Sequence, residues 1–311
     1  MYLGVDLGGT NLKFGIIDSH AEIIYQYSVQ TKSDSGSDKL IRKIIIHTEG
    51  ILRQFPEIVS IGIGVPGVVA DGIVKIAPNL RGWKNIDLRS KLEKEFKMPI
   101  GLDNDANVAA IAENEYGAGA DFDNFIYVTL GTGVGGCIIH NNSIFRGESG
   151  GAGEIGHTII NAFEEDGDEE TYRTGTTESY MGRDKFIECA RDLAKKYPES
   201  IINSLDTFDV KDISLAAQDD DPAAKECLEK TGTLFGKAIA SSMNLLDISK
   251  VVVGGGISQA DSIFYTNAEK SMKAKLLPPL KESGRIVRAK YLKNAGIIGA
   301  AIIGKNTLKK H

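Results

Sequence analysis

Apolar and polar positions alternate from the start of the chain. YLGVDLGG (residues 2–9), TNLKFGIID (10–18) and IIYQYSV (23–29) carry the period of two that puts successive side chains on opposite faces of a strand. SHAE (19–22) is the turn before the third strand. The period then changes. Leu40, Ile41, Ile44, Ile45, Thr48, Ile51, Leu52 and Phe55 recur at helical spacing. VSIGIGVPG (59–67) is an apolar strand, LRSKLEKEF (88–96) a short amphipathic helix, MPIGLDN (98–104) a strand, and 105–116 a helix. The order is β-β-β-α-β-α-β-α.

A looser copy follows. NFIYVTLGTGVGG (124–136) reads as a strand with a glycine turn, and CIIH (137–140) pairs across NNS with IFRG (144–147) as a hairpin. Helices are expected over 180–197, 222–228, 233–246 and 262–276. Strands are expected in KVVVGGGIS (250–258) and RIVRAKYL (285–292), and NAGIIGAAIIGKNTL (294–308) closes as a helix of small residues. Alternating α and β units imply an α/β protein with a mostly parallel sheet and an antiparallel hairpin at its edge. Two such domains with a cleft between them fit 311 residues, with a boundary near residues 116–124.

Composition narrows the function. A net charge of −6 without a basic block argues against a nucleic-acid binder. No apolar run approaches the ~18 residues of a membrane span, and no basic region leads into a hydrophobic segment at the N-terminus, so no signal peptide is expected. Cys137, Cys189 and Cys227 are widely spaced and suit reduced thiols in a cytoplasm better than disulfides.

Three strands end in glycine clusters: DLGGT (6–10), LGTGVGG (130–136) and VGGGIS (253–258). Glycine lets backbone N–H groups approach an anion, so these turns are candidate phosphate cradles; tight hairpin turns are the plainer reading. GTGVGG matches G-x-G-x-x-G, but a hairpin and no helix follows it, which excludes a dinucleotide fold. Thr10 and Thr132 could bond phosphate oxygens. Asp6 beside a phosphate needs a cation between them, which suggests Mg²⁺ held through water. LDNDANVAA (102–110) places Asp103, Asn104 and Asp105 between a strand and a helix. One of its polar residues caps the helix, and the others are free for chemistry.

Together GVDLGGTNLKFGIID, GIGVPG, APNLRGW, LDNDANVAA, TLGTGVGG, GGAGEIGH and VVVGGGIS resemble the ROK family of sugar kinases and repressors, nearest its bacterial glucokinases. The resemblance implies the actin-like ATPase (sugar kinase) fold: two ribonuclease-H-like domains flanking a cleft, 1–117 joined by the helix 294–311, and 118–293. It implies an ATP-dependent kinase acting on the 6-hydroxyl of a hexose, glucose first. Asp105 would be the general base at a helix start, where the dipole favours a carboxylate. Sugar hydroxyls would be bound by Asn79, Asn104, Asp105, Glu154, His157 and Glu178. ATP would lie on Asp6, Gly8, Gly9, Thr10, Asn11, Lys13, Gly131, Thr132, Gly133, Gly254, Gly255 and Gly256, with Mg²⁺ near Asp6. A homodimer is the family habit. A kinase for N-acetylmannosamine, mannose, allose or fructose, or a sugar-sensing regulator, remains the alternative.

The chain departs from the family in one place. Many members hold a structural zinc with three cysteines and the histidine of GEIGH, in C-x-C-G-x-x-G-C-x-E. Here Glu169, Thr171 and Thr176 stand where the cysteines would be and Tyr172 replaces a glycine. Zinc is therefore not expected, and hydrogen bonds from Thr171, Tyr172 or Thr176 are expected to place His157 and Glu178 instead. The acidic stretch 164–170 reads as a solvated loop.

Overall fold

The computed structural model describes residues 1–164 and 173–310. The chain divides into two compact units. The first comprises Met1–Ala120, Ser143–Ala152 and the stretch from Lys293 on; the second comprises Asp121–Asn142 and Gly153–Leu292.

In the first unit, β1 (Tyr2–Leu7), β2 (Asn11–Ile17) and β3 (Ile23–Gln30) form an antiparallel meander, and β4 (Ser60–Val65) and β8 (Ile100–Asn104) extend it in parallel. The sheet order is β3-β2-β1-β4-β8. Helix α1 (Ser37–Gln54) buries the apolar stripe read from the sequence, with Leu40, Ile41, Ile44 and Ile51 in the core. The segment between β4 and α2 (Leu88–Phe96) holds three further strands, β5 (Val68–Ala70), β6 (Ile73–Ile76) and β7 (Lys84–Asp87), in their own antiparallel sheet. These strands add to the expected plan, and Asp71-Gly72 between Val69 and Val74 turns the first hairpin: both residues have positive φ, 53° and 82°.

Helix α10 (Ala295–Thr307) lies against this sheet and against α3 (Asp105–Tyr116). Gly15, Gly4, Gly62 and Gly101 are successive cross-strand partners on β2, β1, β4 and β8. A Cβ on Gly4 would fall 1.9 Å from the Ile297 carbonyl oxygen, and one on Gly62 1.6 Å from that of Ala300. The row of glycines forms a trough in which the helix backbone lies directly on the sheet. On the other side of the helix, a Cβ on Gly299 would fall 1.6 Å from the Val108 carbonyl oxygen of α3.

The second unit repeats the plan. Strand β9 (Phe125–Leu130) pairs antiparallel with β10 (Val134–His140) and parallel with β12 (Lys250–Gly254), which pairs parallel with β13 (Arg285–Arg288). Its helices are α4 (Thr177–Met181), α5 (Arg183–Ala194), α6 (Val210–Gln218), α7 (Pro222–Leu246), α8 (Ser262–Lys275) and α9 (Pro278–Lys281). Two readings change here. The helices expected over 222–228 and 233–246 are one, because Gly232 does not break it: a Cβ there would meet the Phe264 carbonyl oxygen at 2.3 Å, so this glycine admits α8. The helix expected over 180–197 is two, because the chain is extended at Gly182 (φ −65°, ψ 160°). The stretch Ser143–Ala152, opening on β11 (Ser143–Ile144), belongs to the first unit although the pattern suggested the second. Arg146 anchors it on Asp103, and Gly150 lies so close to Val69 that a Cβ would fall 2.9 Å from its carbonyl oxygen.

Candidate active site

The first unit gathers its candidates at one end of its sheet. Asp6, Gly64 and Asp103 are register partners on β1, β4 and β8. Neighbouring strands lie about 4.8 Å apart, so Asp6 and the β8–α3 corner are about 10 Å apart, at the carboxyl ends of parallel strands where α/β proteins bind ligands. The turn after β1 is tight: Gly8 N–H donates to the Asn11 carbonyl at 3.0 Å, and the buried Thr31 hydroxyl donates to the Gly8 carbonyl at 2.6 Å. Gly9, Thr10 and Asn11 at the tip are exposed. Among the described residues a Cβ on Gly9 would meet nothing within 4 Å, and its φ is not positive, so their packing does not explain the glycine. Asp6 is largely buried, pairs with Lys13 at 3.3 Å and sits against Gly296 in the first turn of α10, near the positive end of that dipole.

At the β8–α3 corner the four polar residues divide their work. Asn104 is the N-cap: its Oδ1 accepts the N–H groups of Ala106 (2.8 Å) and Asn107 (3.1 Å), and its Nδ2 donates to the Gly67 carbonyl at 2.9 Å. Asp103 is 2% exposed and structural. It accepts from the Asn104 N–H and from Asn107 Nδ2, both at 2.8 Å, and takes Arg146 bidentately at 2.6 and 3.2 Å. Asp105, the first residue of α3, is exposed, and its Oδ1 accepts the Ala106 N–H at 2.9 Å. The corner thus fixes the backbone with Asn104 and Asp103 and leaves the Asp105 carboxylate at the surface. Asn79 is exposed in the turn between β6 and β7, and Trp83 is buried in the core.

In the second unit, Gly254 on β12 is the register partner of Thr129 on β9, so the turns that follow those strands are neighbours. Gly131 and Gly256 repeat the property of Gly9: a Cβ would meet nothing within 4 Å, and φ is not positive. Their companions are glycine for ordinary steric reasons. A Cβ on Gly254 would lie 2.2 Å from the Tyr127 hydroxyl, and Gly255 has φ 83°. The third turn is braced from behind, where Tyr265 Oη donates to the Ser258 carbonyl and Ser258 Oγ to the Gly255 carbonyl, both at 2.6 Å. Thr132 is exposed at the tip of the β9–β10 turn.

Glu154 and His157 flank a short helical turn that lies flat on β10; a Cβ on Gly156 would fall 2.0 Å from the Val134 carbonyl oxygen. Thr158 and Thr177 join this turn to α4: their hydroxyls are 2.8 Å apart, and the Thr177 N–H donates to the Thr158 carbonyl at 2.9 Å. Thr176 caps α4 and donates to the Arg173 carbonyl at 2.8 Å. Thr171, Tyr172 and Glu169 lie outside the described residues. Glu178 on α4 accepts the Val134 N–H at 2.9 Å and faces Arg173 at 3.3 Å. Arg146, Arg173, Thr158 and Thr177 carried no signal in the sequence, since each finds its role through a partner distant in the chain or through a fold-dependent contact.

Glu154 keeps an accessible carboxylate on a crowded surface. Burial raises its pKa from the ordinary value; His157 opposes the rise and Glu178 adds to it. The folded chain therefore holds this proton more tightly than the unfolded chain. The charged form costs stability as pH rises from the carboxylate range through the raised folded pKa, and the cost is full at neutral pH. Glu154→Gln is expected to raise Tm by about 1–2 °C at pH 7, with the gain vanishing below the carboxylate range. Thermal melts at pH 7 and pH 3.5 check both halves; an equal shift at both would contradict the charge argument.

Among the described residues no group of three His, Cys, Asp or Glu side chains is arranged to hold a metal ion, and no helix is long and apolar enough to cross a membrane.

The chain matches the ROK family over residues 2–307. It is 32% identical to a glucokinase of Halalkalibacterium halodurans, over 99% of this chain and 97% of that protein. Among solved structures it resembles a ROK family glucokinase from Streptomyces griseus in complex with glucose and AMPPNP, with a TM-score of 0.82, 30% identity, and coverage of 98% of this chain and 99% of that one. A xylose repressor of Caldicellulosiruptor bescii is 29% identical over 84% of this chain and 67% of its own length.

Proposed function

The chain belongs to the ROK family and is an ATP-dependent sugar kinase, and from that premise we propose that its acceptor is a hexose, glucose first, phosphorylated at the 6-hydroxyl. One observation carries the reading: Asp105 stands exposed at the start of α3, about two strand spacings from Asp6 and its glycine turn. Asp105 takes the proton of the attacking hydroxyl. Asn79, Asn104, Glu154, His157 and Glu178 bind the other hydroxyls; Asn104, with its oxygen committed to the cap, contributes through its amide. Phosphates lie against the turns 8–10 and 131–133, with Asn11 and Lys13 beside them, and the adenosine against residues 254–256. Gly9, Gly131 and Gly256 support this, because among the described residues nothing lies within 4 Å of the position a Cβ would take at each.

Mg²⁺ fits the same arrangement. Mg²⁺ keeps most of its waters and takes one or two carboxylates plus substrate phosphates, and Asp6 offers one such carboxylate beside a phosphate turn. When bound, the ion neutralises charge on the transferred phosphoryl group.

The test is a coupled assay of a sugar panel with ATP and Mg²⁺. The highest kcat/KM is expected for glucose, and 6-deoxyglucose is expected to compete with glucose without being phosphorylated. Turnover of 6-deoxyglucose, or a preference for N-acetylmannosamine, would displace the assignment.

A further inference from the structure

Helix α4 touches the β9–β10 turn at both of its ends. Within α4, Glu178 Oε2 accepts the Val134 N–H at 2.9 Å. Just beyond it, the Arg183 N–H donates to the Gly131 carbonyl at 2.9 Å, and a Cβ on Gly182 would lie 2.7 Å from the Thr132 carbonyl oxygen. The conformation of residues 131–134 is therefore set by the segment that carries Glu178. Gly133 belongs to the same device. Its Cβ would point at Glu178, 2.2 Å from Oε2, whereas a Cβ on Gly131 would meet nothing. One turn thus holds two glycines for different reasons: Gly131 faces open space and Gly133 makes room for the carboxylate.

The other carboxylate oxygen faces Arg173 Nη1 at 3.3 Å, and the side chain is 28% exposed. A carboxylate has about four acceptor positions, so Oε1 can take a sugar hydroxyl while Oε2 keeps the Val134 N–H. Resting on the kinase reading above, we propose that Glu178 is a positioning residue for the nucleotide turn as well as a sugar ligand, so that acceptor and nucleotide bind with positive coupling through one carboxylate. A hydroxyl on Oε1 fixes the rotamer that holds Val134, and the turn is then ordered before the phosphates arrive. By linkage the nucleotide tightens the sugar by the same factor.

The experiment is calorimetric binding of a non-hydrolysable ATP analogue to the full chain, with and without glucose. Wild type is expected to bind the analogue several-fold tighter with glucose present. Glu178→Ala should bind it about tenfold more weakly without glucose, and glucose should no longer change that affinity. In Glu178→Gln the amide oxygen can still accept the Val134 N–H, so analogue affinity should stay within about threefold of wild type while KM for glucose rises. Gly133→Ala displaces the carboxylate without altering it and should reproduce the loss in Glu178→Ala, which keeps the outcome readable if either variant folds poorly. Wild-type analogue affinity in both Glu178→Ala and Gly133→Ala would overturn the coupling. A wild-type chain that binds neither analogue nor sugar would overturn the kinase reading instead.

Discussion

Asp105→Asn is expected to lower kcat by about 10³-fold, within the 10²–10⁴ range of a positioned general base, and to leave the glucose Kd within about threefold of wild type. The substitution is nearly isosteric. The Asn oxygen can still accept the Ala106 N–H that Asp105 Oδ1 accepts at 2.9 Å, and the cap of α3 rests on Asn104, not on residue 105. The corner therefore keeps its shape, and what is lost is the capacity to take a proton. Phosphoryl transfer is mostly positioning and electrostatics, which is why the residual rate should stay measurable. Coupled-assay kinetics with calorimetry of glucose binding separate the two effects; unchanged turnover would remove Asp105 from the chemistry.

Gly62→Val is expected to cost at least about 3 kcal/mol of stability, the upper end of what overpacking costs and a large part of the 5–15 kcal/mol that holds a typical protein folded. The Cβ would fall 1.6 Å from the Ala300 carbonyl oxygen and 2.8 Å from the Gly304 nitrogen. Both are helix backbone, so no side chain can swing aside; α10 must lift off the sheet. Gly9→Ala is the matched comparison. Its Cβ would meet nothing within 4 Å, so stability should stay within about 0.5 kcal/mol. Urea unfolding of the two variants distinguishes a glycine required by packing from one that is not.

The same contrast shows how far the sequence could be read. Period-two alternation located β1 to β3, and helical spacing located α1, because each signal is local and repeats over several residues. The three glycine turns were visible as clusters. Which glycine in each cluster faces open space was not, since that depends on Tyr127, Leu130 and Glu178 arriving from elsewhere. Gly4, Gly15, Gly62 and Gly101 are scattered in the sequence; only register shows them as a single row. The DNDAN corner was recognisable as too polar for a cap alone. Its internal division was not, because Asp103 is explained by Arg146, 43 positions away. The three-stranded sheet around Asp71-Gly72 does carry a local signal, a two-residue Asp-Gly turn between apolar residues.

The trough under α10 also bears on how the protein is made. Strands β1, β4 and β8 leave the ribosome early, but the helix that fills their bare backbone groove follows the entire second unit. The nascent first unit must wait with a strip of uncovered glycine and apolar sheet, while the later unit can close on its own contacts. The half that starts first finishes last, its groove unfilled until the last α-helix is made.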